Sequence, residues 1–132
     1  MAMQNALLCL ALNIYHEARG EPEEGQIAVA LVTMNRAEWR VENVCPTVYK
    51  PWQFSWTRSA STLPRHETRA WIKAKTMAQE IIEGQYPDIT RGSTHFHAQH
   101  IRPAWHRSFV KTVHIGNHIF YTQRANTRVA SE

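Results

Sequence analysis

Apolar residues recur at helical spacing along the first third of the chain. A first helix is predicted over about residues 3–18, because its apolar side chains fall at helical intervals: Leu7, Leu8, Ala11, Leu12 and Tyr15. The Arg19-Gly20 pair should end this helix, since glycine readily adopts the left-handed conformation that follows many helices. A second helix should open at Glu21-Pro22-Glu23-Glu24 and run to about Trp39, because proline and acidic residues suit a first helical turn.

Prolines and aromatic residues dominate residues 40–64, and we expect that segment to be irregular. A third helix should begin near Pro64, with Thr62 as its cap, and should stop at Gly84. Its apolar positions at helical spacing are Trp71, Ala74, Ala78 and Ile81.

The pattern changes from helical to alternating in the last third of the chain. Residues 93–98 alternate in the manner of a strand, and Gly116-Asn117 separates two β-prone runs, which predicts a two-residue hairpin. With 132 residues, the chain has the length of one domain, spanning 1–132. The sequence therefore predicts an α+β fold, mainly helical, with a small C-terminal β-hairpin element.

The net charge of +4 favours acidic partners by Coulomb attraction. The basic residues are scattered, however, and none of their runs reaches the length of a nucleic-acid-binding arm, so we expect no nucleic acid partner. The apolar stretch from Ala6 to Tyr15 is too short to span a membrane and follows no basic segment, so we expect neither membrane insertion nor a signal peptide. We expect a monomer.

The acidic residues and the cysteines limit the available chemistry. There are ten glutamates and a single aspartate, Asp88, so a mechanism that needs an aspartate has one candidate. The two cysteines, Cys9 and Cys45, are too far apart in sequence for a zinc pattern and too few for a disulfide framework. Cys9 fits a small core residue, while a Cys9–Cys45 bridge stays open.

Glu17 is the first candidate for chemistry. A carboxylic acid at the end of an apolar helix, beside a glycine turn, can face a cleft while resting on the core, and partial burial raises its pKa. Proton donation to a glycosidic oxygen near neutral pH requires such a shift. The alternative is a helix-terminal glutamate paired with Arg19 or Arg36. Glu21 would share a face with Glu17 only if the helix continued past Gly20.

Aromatic and histidine residues supply two further candidate features. Trp52, Phe54 and Trp56 suit a carbohydrate groove, because sugar rings present flat C–H faces, although for any single ring we favour the alternative, a loop packed on the core. On a strand, His95 and His97 point to the same face. They could bind Zn²⁺ with a third ligand from His100, His106 or a glutamate, or they could line a cleft and donate hydrogen bonds to substrate. We expect the second arrangement, with no metal and no cofactor.

Read together, these segments resemble the cell-wall hydrolase family of the spore-cortex-lytic enzymes, whose members also occur in phages. The matching motifs fall in family order along nearly the whole chain: Tyr15-His16-Glu17-Ala18-Arg19-Gly20-Glu21 with Gly25-Gln26-Ile27-Ala28-Val29-Ala30 and Asn35-Arg36; Val44-Cys45 through Tyr49 with Gln53-Phe54-Ser55; Gly92-Ser93-Thr94-His95-Phe96-His97; and Pro103-Ala104-Trp105 with Ile115-Gly116-Asn117-His118-Ile119-Phe120-Tyr121.

The resemblance implies a lysozyme-like domain that cuts between N-acetylmuramic acid and N-acetylglucosamine in peptidoglycan glycan strands. It implies that Glu17 is the general acid and that positions 95 to 97 line the cleft. The residues expected to bind substrate are Glu21, Gln53, Phe54, Ser55, His95, Phe96, His97 and Tyr121. A chain of this kind is similar to a phage endolysin, made in the cytoplasm and acting on the wall after phage-assisted release.

Two outcomes of the chemistry remain open from the sequence. A hydrolytic muramidase needs a second carboxylate, for which Glu21 and Asp88 are the candidates. A lytic transglycosylase needs one acid, with the N-acetyl group stabilising the cation and the 6-hydroxyl closing a 1,6-anhydro product. The scarcity of aspartate favours the transglycosylase. The alternative without catalysis is a cell-wall-binding module.

Overall fold

Four helices precede a small three-stranded sheet in this computed structural model, which describes residues 2–50, 53–58 and 63–123. The helices are α1 (Ala2–Ala18), α2 (Glu23–Arg36), α3 (Val41–Val48) and α4 (Arg69–Ile82). The strands are β1 (His95–Ala98), β2 (Phe109–Ile115) and β3 (His118–Gln123), and two short 3₁₀ turns cover Ser55–Arg58 and Ala104–Ser108. The prediction of a mainly helical α+β fold is confirmed.

The main core forms where α1 packs against the other three helices. Its fully buried apolar side chains include Leu10, Ile14, Leu31, Met34, Val44 and Ile81. Burying each of these large side chains contributes roughly 1.5–3 kcal/mol to folding. Among the described helices, none is long and apolar enough to span a bilayer.

Helices α1 and α2 follow the prediction with two corrections at their ends. Helix α1 ends at Ala18 as expected, but Gly20 does not adopt a positive φ; the amide of Glu21 donates instead to the carbonyl of Ala18 at 2.9 Å. Helix α2 ends at Arg36 rather than near Trp39, because the chain turns through residues with positive φ, Glu38 (57°) and Trp39 (58°).

The prediction that residues 40–64 are irregular is wrong for their first part. Val44 and Val48 are fully buried on one face of α3, and Pro46 lies within this helix. A disulfide joins Cys45 of α3 to Cys9 of α1, with a Cα–Cα distance of 5.4 Å, so the bridge left open above is present. The prolines suggested a loop, whereas apolar spacing and the cross-link to α1 stabilise a short helix.

Helix α4 begins later than predicted. It starts at Arg69 rather than near Pro64, because Thr68 is the cap and its side chain accepts a hydrogen bond from the amide of Trp71 at 3.2 Å. Thr62, the predicted cap, lies outside the described residues. The predicted apolar face is buried, and the helix stops before Gly84, which has a φ of 78°.

The C-terminal sheet has the strand order β1-β3-β2, and every pairing is antiparallel. The predicted strand over 93–98 forms from His95, and the predicted hairpin turn lies at Gly116-Asn117 between β2 and β3. Gly116 has a φ of 58°, which suits the first position of a type II′ turn. A β-carbon there would also lie 2.6 Å from Oε1 of Glu21, so this close approach requires glycine. The sheet packs on α2 through Phe120, which contacts Ala28 and Val32.

Candidate active site

A cleft of about 480 Å³ lies where the end of α1 meets edge strand β1. Helix α1 contributes Glu17 to its wall, and the segment after α3 contributes Gln53 and Phe54. The rest of the lining comes from α2 and from the C-terminal third of the chain: Val32, Thr94, His95, Phe96, His97, Ala98, Ile101, Trp105 and His118. Residues far apart in sequence therefore converge on one depression that contains a single carboxylate among its described lining residues.

Glu17 is largely buried in the cleft wall, and burial raises its pKa from 4.5 to about 7. No described side chain or backbone group forms a hydrogen bond or ion pair with its carboxyl group, so nothing offsets the desolvation of the charged form. The alternative pairing with Arg19 or Arg36 is contradicted, because Arg19 lies over the ring of Tyr15 at 4.5 Å and Arg36 binds other groups. A carboxyl group with this pKa holds a proton near neutral pH and can release it there.

Arg36 organises one end of the cleft. Its guanidinium donates to Oε1 of Gln53 at 2.6 Å, to the carbonyl of Thr94 at 2.9 Å and to Nε2 of His95 at 3.0 Å. Because a guanidinium only donates, Nε2 of His95 must accept, and Nδ1 then carries the proton opposite Oγ1 of Thr94 at 2.9 Å. Burial, with the nearby charges of Arg36 and Lys50, lowers the pKa of His95 to about 4, so this ring is neutral at physiological pH.

His97 is held by partners at both ring nitrogens. Nδ1 lies 2.7 Å from the carbonyl of Ala98, which only accepts, and Nε2 lies 2.9 Å from the hydroxyl of Tyr121. The rings of His97 and Tyr121 also stack at 5.2 Å, and Trp105 packs edge-on against both. Tyr121 therefore lies behind His97 and fixes its orientation.

This arrangement leaves neither histidine of β1 with a free lone pair for a metal ion. Nε2 of His95 accepts from Arg36, and both nitrogens of His97 are engaged. Of the suggested third ligands, His106 has its Nδ1 2.8 Å from the carbonyl of Pro103. Across residues 2–50, 53–58 and 63–123, no three histidine, cysteine or acidic side chains converge as a metal site would need.

Asp88, a candidate second carboxylate, is bound within its own loop. Burial alone would raise its pKa, but hydrogen bonds from Thr90, Asn35 and Gly92 outweigh that effect and lower it. Asn35 donates at 3.0 Å and the amide of Gly92 at 2.9 Å. These contacts connect the loop after α4 to helix α2, which makes Asp88 a structural residue.

Glu21, the other candidate, connects the turn after α1 to the hairpin. Its two carboxylate oxygens each accept a hydrogen bond from Asn117 at 3.0 Å, one from the backbone amide and one from the side chain. Burial opposes ionisation, but these bonds and the nearby His118 lower the pKa of Glu21 overall. Glu21 faces a second groove and is not among the residues that line the Glu17 cleft.

The structure thus brings together most of the residues expected at the site. Six of them line the cleft directly: Glu17, Gln53, Phe54, His95, Phe96 and His97. Tyr121 supports His97 from behind, and Glu21 lies outside the cleft. Ser55 starts a 3₁₀ turn, and its side chain is not part of the described structure. Trp52 lies outside the described residues.

One aromatic side chain follows a sequence interpretation given above, and two further aromatic residues of the cleft were missed. Trp56 stacks on His16 with ring centroids 4.6 Å apart and packs against the main core, so it acts as a core plug. Trp105 and His118 line the cleft, although the sequence did not single them out as substrate-binding residues. Strand alternation was the available signal for His118, because it lies two positions before the buried Phe120.

Comparison with known proteins gives a family match and similar curated proteins. The family described as Cell Wall Hydrolase matches residues 20–121, a range that begins just after Glu17. The spore cortex-lytic enzyme of Halalkalibacterium halodurans is 31% identical over 120 residues, covering 88% of this chain and 34% of that protein. The spore cortex-lytic enzyme of Oceanobacillus iheyensis is 28% identical over 123 residues, covering 89% of this chain and 41% of that protein. The chain therefore spans less than half the length of these relatives, and no solved structure gives a significant match.

Proposed function

Because residues 20–121 match its model, the chain belongs to the Cell Wall Hydrolase family, and we propose that it cleaves peptidoglycan glycan strands at the bond between N-acetylmuramic acid and N-acetylglucosamine. The observation that carries the proposal is Glu17, a carboxyl group in the cleft wall with a pKa of about 7 and no bonded partner among the described groups. Such a group can protonate a glycosidic oxygen at neutral pH. The names of the two relatives support the same class of substrate.

We propose that the reaction is that of a lytic transglycosylase. Glu17 gives its proton to the oxygen of the departing sugar while the bond from that oxygen to C1 of the muramic residue breaks. The N-acetyl oxygen of the muramic residue stabilises the positive charge at C1. The Glu17 carboxylate then takes the proton of the 6-hydroxyl as that oxygen bonds to C1, which closes the 1,6-anhydro ring and restores the acid.

The neighbouring carboxylates support a mechanism with one acid. A hydrolase of the usual two-carboxylate kind needs a second acidic group facing the same bond, about 5–10 Å from the first. Asp88 and Glu21 are instead held by hydrogen bonds of the fold, and Glu17 is the single carboxylate among the described residues of the cleft. The same residue must then serve as acid and base in turn, which a pKa near 7 allows.

The remaining cleft residues have roles that follow from their contacts. The amide of Gln53, held in a fixed orientation by Arg36, suits hydrogen bonding to sugar hydroxyl and acetamido groups, while neutral His95, whose two ring nitrogens bind Arg36 and Thr94, lines the cleft beside it. Phe96 and Trp105 add aromatic surface for the C–H faces of the sugar rings. We assign these residues to substrate positioning.

The product identifies the reaction. Purified peptidoglycan is digested with wild-type protein and with Glu17→Gln, and the released muropeptides are analysed by mass spectrometry. Anhydro-muropeptides, each lighter than its reducing counterpart by one water, are expected from the wild type and not from the variant. Muropeptides with free reducing ends would instead identify a hydrolytic muramidase. Binding to the wall without any release by the wild type would identify a binding module.

A further inference from the structure

A second groove, of about 380 Å³, lies beside the cleft and collects positive charge. Three basic side chains line it: Arg19 after α1, and Arg69 and Lys73 on the first turns of α4. Tyr15 and Glu21 are also part of the wall, and we name this feature the basic groove. The groove has no role in the bond cleavage described above.

The three cations of the basic groove have no ion-pair partner among the residues that the structure describes. Within the described ranges, no carboxylate forms an ion pair with Arg19, Arg69 or Lys73, and the one acidic group of the lining, Glu21, already accepts two hydrogen bonds from Asn117. The single Lys–Glu ion pair of the described residues joins Lys75 of α4 to Glu67 and involves none of the three.

One of these cations, Arg69, lies at an unfavourable position in its helix. Helix α4 has no acidic residue in its first turn, where negative charge would complement the helix dipole, and carries Arg69 at its first position instead. Positive charge at the positive end of a helix is unfavourable. Such local conflicts concentrate at functional sites, and a bound anion would remove this one.

The basic groove and the cleft flank the end of α1. Glu17 of the cleft and Arg19 of the groove lie two positions apart at the end of α1, and therefore on opposite sides of it. On the other flank, Nδ1 of cleft-lining His118 lies 3.8 Å from Oε1 of groove-lining Glu21. A glycan in the cleft therefore has its substituents within reach of the groove.

We propose that the basic groove binds a free carboxylate of the peptide stem carried by the muramic residue in the cleft. This proposal rests on peptidoglycan being the substrate. An extended stem of about four residues spans roughly 14 Å, more than the roughly 10–12 Å width of a helix with its side chains, so it can pass around the end of α1. Arg19, Arg69 and Lys73 supply the positive charge that a carboxylate requires.

The test measures binding in a background that does not cleave. Glu17→Gln protein is titrated onto insoluble peptidoglycan, first with intact stem peptides and then after an amidase has removed them. The groove variant adds Arg69→Gln and Lys73→Gln, and a control variant adds Arg40→Gln and Lys111→Gln, which remove the same charge from exposed positions away from the groove.

We expect the groove variant to bind intact peptidoglycan about tenfold more weakly than its parent, because it loses two charged contacts. The control variant should bind as the parent does, and all three proteins should bind equally to stripped glycan. Thermal unfolding of the groove variant should occur at or above the temperature of its parent, since the substitutions remove charge from the wrong end of a helix.

Several results would overturn the proposal. They are equal binding of parent and groove variant to intact peptidoglycan, equal losses in the groove and control variants, or no binding by the parent. A loss that follows removal of teichoic acid rather than of stem peptides would instead assign the groove to phosphate. Cleavage by the wild type is measured separately, so a protein that binds through the groove but does not cut would refute only the proposed reaction.

Discussion

The end of helix α1 and the loop after helix α4 each hold a partly buried carboxyl group, and the fold treats the two in opposite ways. Glu17 has no hydrogen-bond partner in the described residues, and burial raises its pKa to about 7. Asp88 also loses water, but hydrogen bonds from Thr90, Asn35 and Gly92 lower its pKa. The comparison shows that burial raises the pKa of a carboxyl group only where the protein offers it no hydrogen-bond donors. Where donors are present, the same kind of group stays ionised and connects two parts of the fold.

The largest effect should come from removing the unpartnered carboxyl group. Glu17→Gln keeps the size and polarity of the side chain but cannot give up a proton, so the rate of muropeptide release should fall by about 10²–10⁴-fold. Release is measured by liquid chromatography of soluble products at equal concentrations of folded protein. Asp88→Asn and Glu21→Gln are the matched carboxylate-to-amide controls and should retain most of the activity. A fully active Glu17→Gln would refute the role assigned to Glu17.

The next effect should be on stability, at Asp88. In Asp88→Asn, one oxygen becomes an amide that cannot accept the donors now bound there, and we expect the free energy of unfolding to fall by about 1–3 kcal/mol in urea titrations. Because the folded pKa of Asp88 is lowered, its stabilisation is present above the unfolded value of 3.8 and is lost as the pH falls through the folded value. The difference between the variant and the wild type should therefore shrink in strong acid. A constant difference would contradict this account.

Glu17 should show the reverse dependence of stability on pH. Its folded pKa is raised, so the folded state resists ionisation, and the wild type should lose stability as the pH rises from 4.5 to about 7. Glu17→Gln does not ionise and should be more stable than the wild type by roughly 1–2 kcal/mol at pH 8, after allowing for partial exposure. The two proteins should match near pH 4. Urea titrations at both pH values check this, and equal stability at pH 8 would show that the carboxylate is well solvated.

The smallest effect on stability should come from Glu21, whose carboxylate has more hydrogen-bond donors than that of Glu17 and fewer than that of Asp88. Its side chain is 13% exposed, and both of its oxygens bind Asn117. Glu21→Gln keeps one acceptor, so we expect a loss of about 1 kcal/mol in the free energy of unfolding. Amide hydrogen exchange should be faster at Asn117 than in the wild type. Unchanged exchange at the hairpin would mean that Glu21 does not hold it.

The sequence predicted the elements whose signals are local. Helices α1, α2 and α4, the hairpin at Gly116-Asn117 and the strand at His95 all follow from apolar spacing and turn chemistry. Helix α3 was missed, because Pro46 suggested a loop while the stabilising contacts, including the Cys9–Cys45 bridge, come from distant residues. The start of α4 was misplaced because Thr62 and Pro64 together resemble a helix start, whereas Thr68 supplies the capping hydrogen bond.

The sequence indicated part of the lining of the cleft but not the contacts between its residues. Spacing and resemblance indicated Glu17, Gln53, Phe54 and residues 95–97, and these residues line one cleft. The sequence could not show that Arg36 donates hydrogen bonds to both Gln53 and His95, or that Asn117 donates to the carboxylate of Glu21. Such contacts depend on how separate elements approach each other, and they decide which carboxyl group has donors and which does not.

The most direct test of the central claim is a titration of Glu17 itself. Protein carrying carbon-13 in its glutamate carboxyl groups is followed by nuclear magnetic resonance across the pH range, and the Glu17 signal is assigned by its disappearance in Glu17→Gln. The account predicts a midpoint near pH 7 for this one signal, well above the value for Glu21 in the same spectrum. A midpoint near the ordinary value of 4.5 would contradict it, because Glu17 would then hold no proton to donate at neutral pH.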